Sequence, residues 1–310
     1  MDESEDLLSC LQRQPQIFLS HSIHCMKLGQ FEIEQLSEGI FEVYDDGIFH
    51  KVDAKDITAG SVINSEYKES ITIGIDPILI KTGKQVILLD AGLGWGLDYG
   101  SNYTNTSNLK TNLDIFGLKP EDVTHVVLSH LHFDHAAGCT FVDSESKTRA
   151  TLPNAHYFVQ KLEWLFAIES STSKASASHV DYQMDEMYKL HAEERLVLIS
   201  DASFELLPGI TLIHTGGHTP GHQIVKLQSD NVYGYYLGDL VPSELHLNHY
   251  FMGGLDTDAL QAKKAKTLIL RQAAKESAAL FFYHSIHTKA GKLSIDDDKQ
   301  YQLSVLKSTY

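Results

Sequence analysis

Cysteine is nearly missing from this chain: Cys10, Cys25 and Cys139 are the only three in 310 residues, too few and too irregularly spaced for a disulfide framework or a zinc finger. Such sparing use fits a reducing compartment. Long apolar runs are missing as well, and nothing approaches the roughly 20 residues that a membrane helix needs. The amino terminus, Met1-Asp2-Glu3-Ser4-Glu5-Asp6, is acidic where a secretory leader would be basic. The expectation is a cytoplasmic protein with no membrane partner. Positive charge is also short: 25 Lys and Arg stand against 41 Asp and Glu, for a formal net charge of −16. A surface this negative lacks the footprint for nucleic acid, which leaves a small-molecule substrate as the expected partner. There is no repeat of solenoid length. Histidine, by contrast, is plentiful at 17 residues, and its placement matters more than its number.

The segment Leu128 to Gly138, LSHLHFDHAAG, sets His130, His132, Asp134 and His135 within six consecutive positions. The apolar run Val126-Val127-Leu128 before it reads as a buried strand. The polar groups therefore emerge at a strand's carboxyl edge, where α/β folds bind ligands. Leaving such groups unpaired in a core would be costly, so the cluster calls for a cation.

Around this motif the chain alternates strands and helices without a strict βαβ order. Residues 1–30 read as a lead-in arm, a candidate for packing on a second copy in a homodimer, and residues 31–310 as a single domain. Strands are expected at Phe31–Glu34 and Gly39–Tyr44, followed by a polar excursion over 45–70. A hairpin over 77–89 leads into Asp90-Ala91-Gly92-Leu93-Gly94, and a helix into the strand before the histidines. Later come a strand near Tyr157–Val159, a helix to Ile168, a Ser-rich loop over 169–178 and a second helix ending near Glu194. Strands at 195–200, 204–207, 210–214, 222–227 and 232–237 follow. A long helix from Asp256, read as its N-cap, to Ser277 precedes a last strand, Ala279–Tyr283. This order predicts an α/β (α+β) layered sandwich with helices outside.

Three later segments repeat the pattern of an apolar strand delivering one polar group. TGGHTPGH presents His218, YYLGDL presents Asp239, and LFFYHSIH presents His284. His130, His132 and His218 suffice for one divalent ion, Asp134, His135 and His284 for a second, and Asp239 can bridge the two. The absence of cysteine from this set, and a histidine at 132, favour a hydrolytic ion such as zinc over oxygen chemistry.

The joint pattern H-x-H-x-D-H, then separate His, Asp and His, resembles the metallo-β-lactamase superfamily over roughly residues 31–290. The resemblance implies a four-layer αβ/βα sandwich with two divalent ions, by default Zn2+, on its edge. It also implies hydrolysis by a bridging hydroxide, with Asp134 as ligand and proton shuttle and Asp90 holding the ligand loop from behind. Asp239 and the run GDLVPSELHL look most like the branch of methyl parathion hydrolase and the quorum-quenching lactonases. Two marks of the acyl-homoserine-lactone lactonases are missing: Pro242 stands where they carry tyrosine, and Ser285 where they commonly carry aspartate. The expected substrate is an ester, lactone or organophosphate triester. A glyoxalase II-like thioesterase and a slow-turnover signal-binding effector on the same fold are the alternatives. His222, His246, His249 and His287 are left without a role.

Overall fold

The protein, seen in a computed structural model, is described over residues 26–44, 49–52, 70–103, 106–172, 182, 184–248 and 256–306. It begins with β1 (Met26–Leu28), β2 (Phe31–Gln35), β3 (Gly39–Tyr44), β4 (Phe49–Val52) and β5 (Ser70–Ile75), then the hairpin β6 (Ile78–Thr82) and β7 (Gln85–Leu89). There follow α1 (Leu109–Ile115), β8 (His125–Val127), α2 (Phe133–Ala136), β9 (Thr140–Val142), β10 (Thr148–Ala150) and β11 (His156–Gln160). Helices α3 (Lys161–Thr172) and α4 (Met184–Ala192) precede β12 (Leu196–Ile199). The rest is β13 (Ser203–Leu207), β14 (Ile210–His214), β15 (Gln223–Ser229), β16 (Val232–Tyr236), α5 (Ala259–Lys275), β17 (Ala279–Phe281), β18 (Ala290–Ile295) and β19 (Tyr301–Val305).

Two seven-stranded sheets form the frame, in the orders β1-β2-β6-β7-β8-β11-β12 and β13-β14-β15-β16-β17-β18-β19. Period-two alternation decides which way each side chain faces. Within the β6–β7 hairpin, Leu79 and Leu88 pack toward α1, α3 and α4, in a core with Leu113, Trp164 and Leu190. Their neighbours Ile78, Ile80, Ile87 and Leu89 turn to the other face and meet Leu212, Val225, Leu227 and Phe281 of the second sheet. On the far side of that sheet, Ile224, Tyr235, Leu280 and Phe282 pack on Ala262, Leu270 and Ala273 of α5. Three apolar layers thus hold four structural layers together, helix–sheet–sheet–helix, as the sequence led us to expect. Each fully buried leucine or isoleucine contributes about 1.5–3 kcal/mol by leaving water.

Strand direction gathers the chemistry on one edge. In the first sheet β7, β8, β11 and β12 are mutually parallel, so their carboxyl ends share a side. In the second, β14 and β16 are both antiparallel to β15, and β17 is parallel to β16, so these three also end together. Gln223 stitches the two edges: its N–H donates to Ser129 O at 2.9 Å, and its side-chain amide to Leu128 O at 2.8 Å.

Four expectations need correction. The span read as an arm ends inside the first sheet, because Met26–Leu28 pairs with β2; residues 1–25 lie outside the described residues. Part of the polar excursion is strand: β4 and β5 flank β3 in a three-stranded sheet, with 45–48 and 53–69 outside the described residues. Ala279 does not open the last strand, since β18 and β19 extend the second sheet beyond it. Helix α3 runs through Thr172, so the Ser-rich segment begins as helix; 173–178 lie outside the described residues.

Candidate metal centre

Each expected donor leaves the end of a strand. β8 continues through buried Leu128 and Ser129 into His130; His132 is the N-cap of α2, whose first turn carries Asp134 and His135. β14 leads to His218, β16 to Asp239 through a 3-10 turn, and β17 to His284. The turn at Asp239 depends on Gly238, which has φ +48° and would place a Cβ 2.8 Å from both His222 Nε2 and Ser129 Cβ. All seven candidates converge. Donor atoms of His130, His132 and His218 lie within 4.8 Å of one another, as do those of His130, His135 and Asp239, and those of Asp134, His135 and His284.

Hydrogen bonds at the back of the rings settle which nitrogen faces the centre. His284 Nδ1 lies 2.8 Å from Gly74 O, His135 Nδ1 2.7 Å from Asp90 Oδ2, and His218 Nδ1 3.1 Å from Asp256 Oδ1. Carbonyl and carboxylate oxygens only accept, so each Nδ1 carries the proton and each neutral ring turns a bare Nε2 inward. Ser129 donates its hydroxyl to Asp90 Oδ2 at 2.6 Å and so accepts from His130 Nδ1 at 3.0 Å, with the same result.

The inward atoms then crowd. His132 Nδ1 is 2.9 Å from His130 Nε2 and 3.2 Å from His218 Nε2; His135 and His284 face each other Nε2 to Nε2 at 3.2 Å. Lone pairs so placed repel unless a positive charge sits among them. Nitrogen ligands about 2.0–2.1 Å from a tetrahedral zinc would be roughly 3.3–3.4 Å apart, close to these separations. Asp239 lies between the two groups, its Oδ1 3.3 Å from His135 Nε2 and 3.2 Å from His284 Nε2, its Oδ2 3.4 Å from His218 Nε2. That Oδ1 is buried and accepts no hydrogen bond, an unanswered negative atom that a cation would answer. Asp134 Oδ2 is 3.4 Å from His284 Nε2 and 3.7 Å from His135 Nε2. The donors present fit divalent ions.

The proton affinities tell the same story. Burial pushes His130 and His132 well below the usual imidazole range, and the neighbouring imidazoles push them further. For His135 and His284 burial works in the same direction but is outweighed. The carboxylates of Asp239 and Asp134 carry His135 well above the usual range and raise His284. Burial would raise Asp239, yet His284 and His135 hold it well below the carboxylate range. This half of the site therefore favours positive charge, which a divalent ion would supply.

Of the supporting residues only Asp90 was assigned from the sequence. Asp90 does hold the motif from behind: besides His135 it takes the Ser129 N–H at 2.6 Å and the Tyr236 hydroxyl. Tyr283 donates to Asp134 O at 2.6 Å. Asp256, expected as an N-cap, instead receives His218, and Asp258 caps α5 by accepting the Gln261 N–H at 2.9 Å. His222 has no nitrogen to spare: its Nε2 accepts the Asp239 N–H at 3.1 Å and its Nδ1 meets Thr215 Oγ1 at 2.8 Å. His246 pairs with Ser243 Oγ at 2.8 Å, His287 is exposed, and His249 lies outside the described residues.

Comparison with known proteins agrees with this geometry. The model of the metallo-beta-lactamase superfamily matches residues 74–284. An N-acyl homoserine lactonase from Bacillus sp is 27% identical over 232 residues, covering 69% of this chain and 82% of the relative. One from Bacillus cereus is 25% identical over the same length. Among solved structures, a probable metal-dependent hydrolase from Staphylococcus aureus superposes with a TM-score of 0.70 at 27% identity, over 92% of this chain and 100% of that one. AidC, a dizinc quorum-quenching lactonase, shares the fold with a TM-score of 0.68 at 23% identity, over 93% and 98%. No helix among the described residues is long and apolar enough to cross a membrane. With the fold, the convergent donors and the family match in agreement, this chain belongs to the metallo-beta-lactamase superfamily and is a metal-dependent hydrolase.

Proposed function

We propose that the protein is a dinuclear hydrolase of a neutral ester-type bond, a lactone above all. The observation that carries this is the Asp239 carboxylate, which turns one oxygen to each donor group. His130, His132 and His218 would hold one ion, Asp134, His135 and His284 the other, and Asp239 both. Two zinc ions bound there would lower the pKa of a shared water and polarise the oxygen of the bond under attack.

The chain's own groups do the remainder. Asp90, Gly74 and Asp256 hold three imidazoles by their outer nitrogens, so no reorientation is needed when substrate arrives. Asp134 is half-buried and open to the site. Its carboxylate takes the proton that the attacking water sheds and returns it to the leaving alkoxide, so that a lactone and water become a hydroxy acid.

The lactonase relatives support a lactone or ester. Among the described residues, one cluster of basic side chains, Lys110, Arg149, Lys189 and Arg195, lines a cavity of about 370 Å³ that contains none of the seven donors, so that cluster is not placed to hold a glutathione thioester at them. The experiment is a hydrolysis panel with zinc-reconstituted protein across lactones, aryl esters, phosphotriesters and thioesters. Highest kcat/KM on a lactone or ester is expected. A clear preference for the thioester, or tight binding without turnover on every class, would replace the reading with one of its alternatives.

A further inference from the structure

Glu163 lies in the first turn of α3, is wholly buried, and takes no part in the chemistry above. Its carboxylate joins the two loops that carry the first donor group. Oε1 accepts the N–H of Leu131, the residue between His130 and His132, at 3.0 Å. Oε2 accepts the hydroxyl of Thr219, which follows His218, at 2.5 Å and the N–H of Gly221 at 3.2 Å. One loop leaves the first sheet and the other the second, so this side chain spans the seam between them.

The chemistry asks for a carboxylate. Three donors converge on two oxygens, and only a side chain with an acceptor at both tips satisfies them; a carboxamide would turn its NH2 toward one of the donors. Burial works against the charge and raises the pKa, while the bonds from Thr219, Leu131 and Gly221 oppose that rise. Backbone has also been shaped around it. A Cβ at Gly221 would lie 2.1 Å from the Glu163 backbone nitrogen, so this position must lack one for α3 to start where it does.

We propose that Glu163 is the positioning residue of the first donor group: by locking the 130–132 and 218–221 loops together it sets the spacing of His130, His132 and His218 and hence the affinity for the ion they hold. The inference rests on the dinuclear reading above. Second-site ion binding should not depend on it, because Asp134, His135 and His284 are held by Tyr283, Asp90 and Gly74 instead.

The test is stepwise removal of zinc from purified holoenzyme by a competing chelator, for the natural chain, Glu163→Gln, Thr219→Val and His218→Ala. In Glu163→Gln one ion should leave at roughly ten- to hundredfold lower chelator activity, the usual cost of losing a support behind a ligand. It should be the same ion that His218→Ala loses, with the other unchanged. Thr219→Val, which keeps the carboxylate and deletes one of its three bonds, should shift that ion in the same direction by less. Amide exchange at Leu131 and Gly221 should quicken in Glu163→Gln. Unchanged affinity for both ions, or equal weakening of both, overturns the role. If Glu163→Gln does not fold, an unshifted first ion in Thr219→Val overturns it just as well. A natural chain holding fewer than two ions sinks the dinuclear reading itself, whereas two ions with an indifferent Glu163→Gln sinks only the part assigned to Glu163.

Discussion

The two donor groups share a shape and differ in charge. Both place inward-facing atoms about 3 Å apart, but the first is built of His130, His132 and His218 alone, while the second mixes Asp134 with His135 and His284. Burial lowers the pKa of His130 and His132, whereas the carboxylates around His135 and His284 raise theirs. Their supports differ too. The first group's loops are joined across the two sheets by hydrogen bonds to Glu163 and reach Asp90 only through Ser129, whereas the second group contacts Asp90 directly and the main chain at Gly74. Geometry can be repeated within one site while charge is divided unevenly, and Asp239 turns one carboxylate oxygen to each half.

Replacing that shared side chain should do the most damage. Asp239→Ala removes a donor from both groups at once, and kcat/KM should fall by about 10³-fold or more, equivalent to several kcal/mol of transition-state stabilisation. Far-ultraviolet circular dichroism should stay unchanged. Near-normal turnover would make Asp239 a bystander and dissolve the pairing of the two groups.

A smaller effect separates the halves. His284→Ala should hold about one ion per chain and lose most activity, while His287→Ala keeps both ions. His284 is buried with Nε2 among the carboxylates, and His287 is exposed three residues on. Parallel metal analysis and rates for the two variants decide this, and the reverse pattern would move the ligand to His287.

A last effect touches stability rather than turnover and concerns the loop beneath the second group. Glu38 accepts the Leu93 N–H at 2.8 Å and so props the turn that begins at Asp90. Burial pushes its pKa from 4.5 up to about 8. Between those values the unfolded chain gives up this proton while the folded chain keeps it, so stability falls as pH rises through the window. At about 1.36 kcal/mol per pH unit, the loss reaches on the order of 4–5 kcal/mol at most. Glu38→Gln should flatten this slope. Denaturant unfolding of both proteins from pH 4 to 9 measures it, and parallel curves would show that Glu38 is ionised in the fold.

Most of the site was legible because each ligand follows an apolar strand and the motif packs four donors into six residues. His130, His132, Asp134, His135, His218, Asp239 and His284 were picked out as candidates this way and come together in the fold, and the layered fold followed from the same strands. What stayed hidden was tertiary. Glu163 sits in KLEWLFAIES, where a glutamate on a helix reads as solvent-facing; its partners Thr219 and Gly221 are 56 and 58 residues away. Asp256 and Asp258 are equally good caps by residue type, and only the position of His218 separates them. The strands β18 and β19 escaped notice because Lys292, Ser294, Gln302 and Ser304 interrupt them with polar groups, as suits the sheet's outer strands.

The central claim is that this edge holds two ions, and elemental analysis of protein purified without chelator addresses it most directly, with activity assayed on the same sample. The account predicts close to two transition-metal ions per chain, zinc by default, with activity lost on chelation and restored on adding the metal back. Fully active protein that consistently carries less than one ion per chain would contradict it.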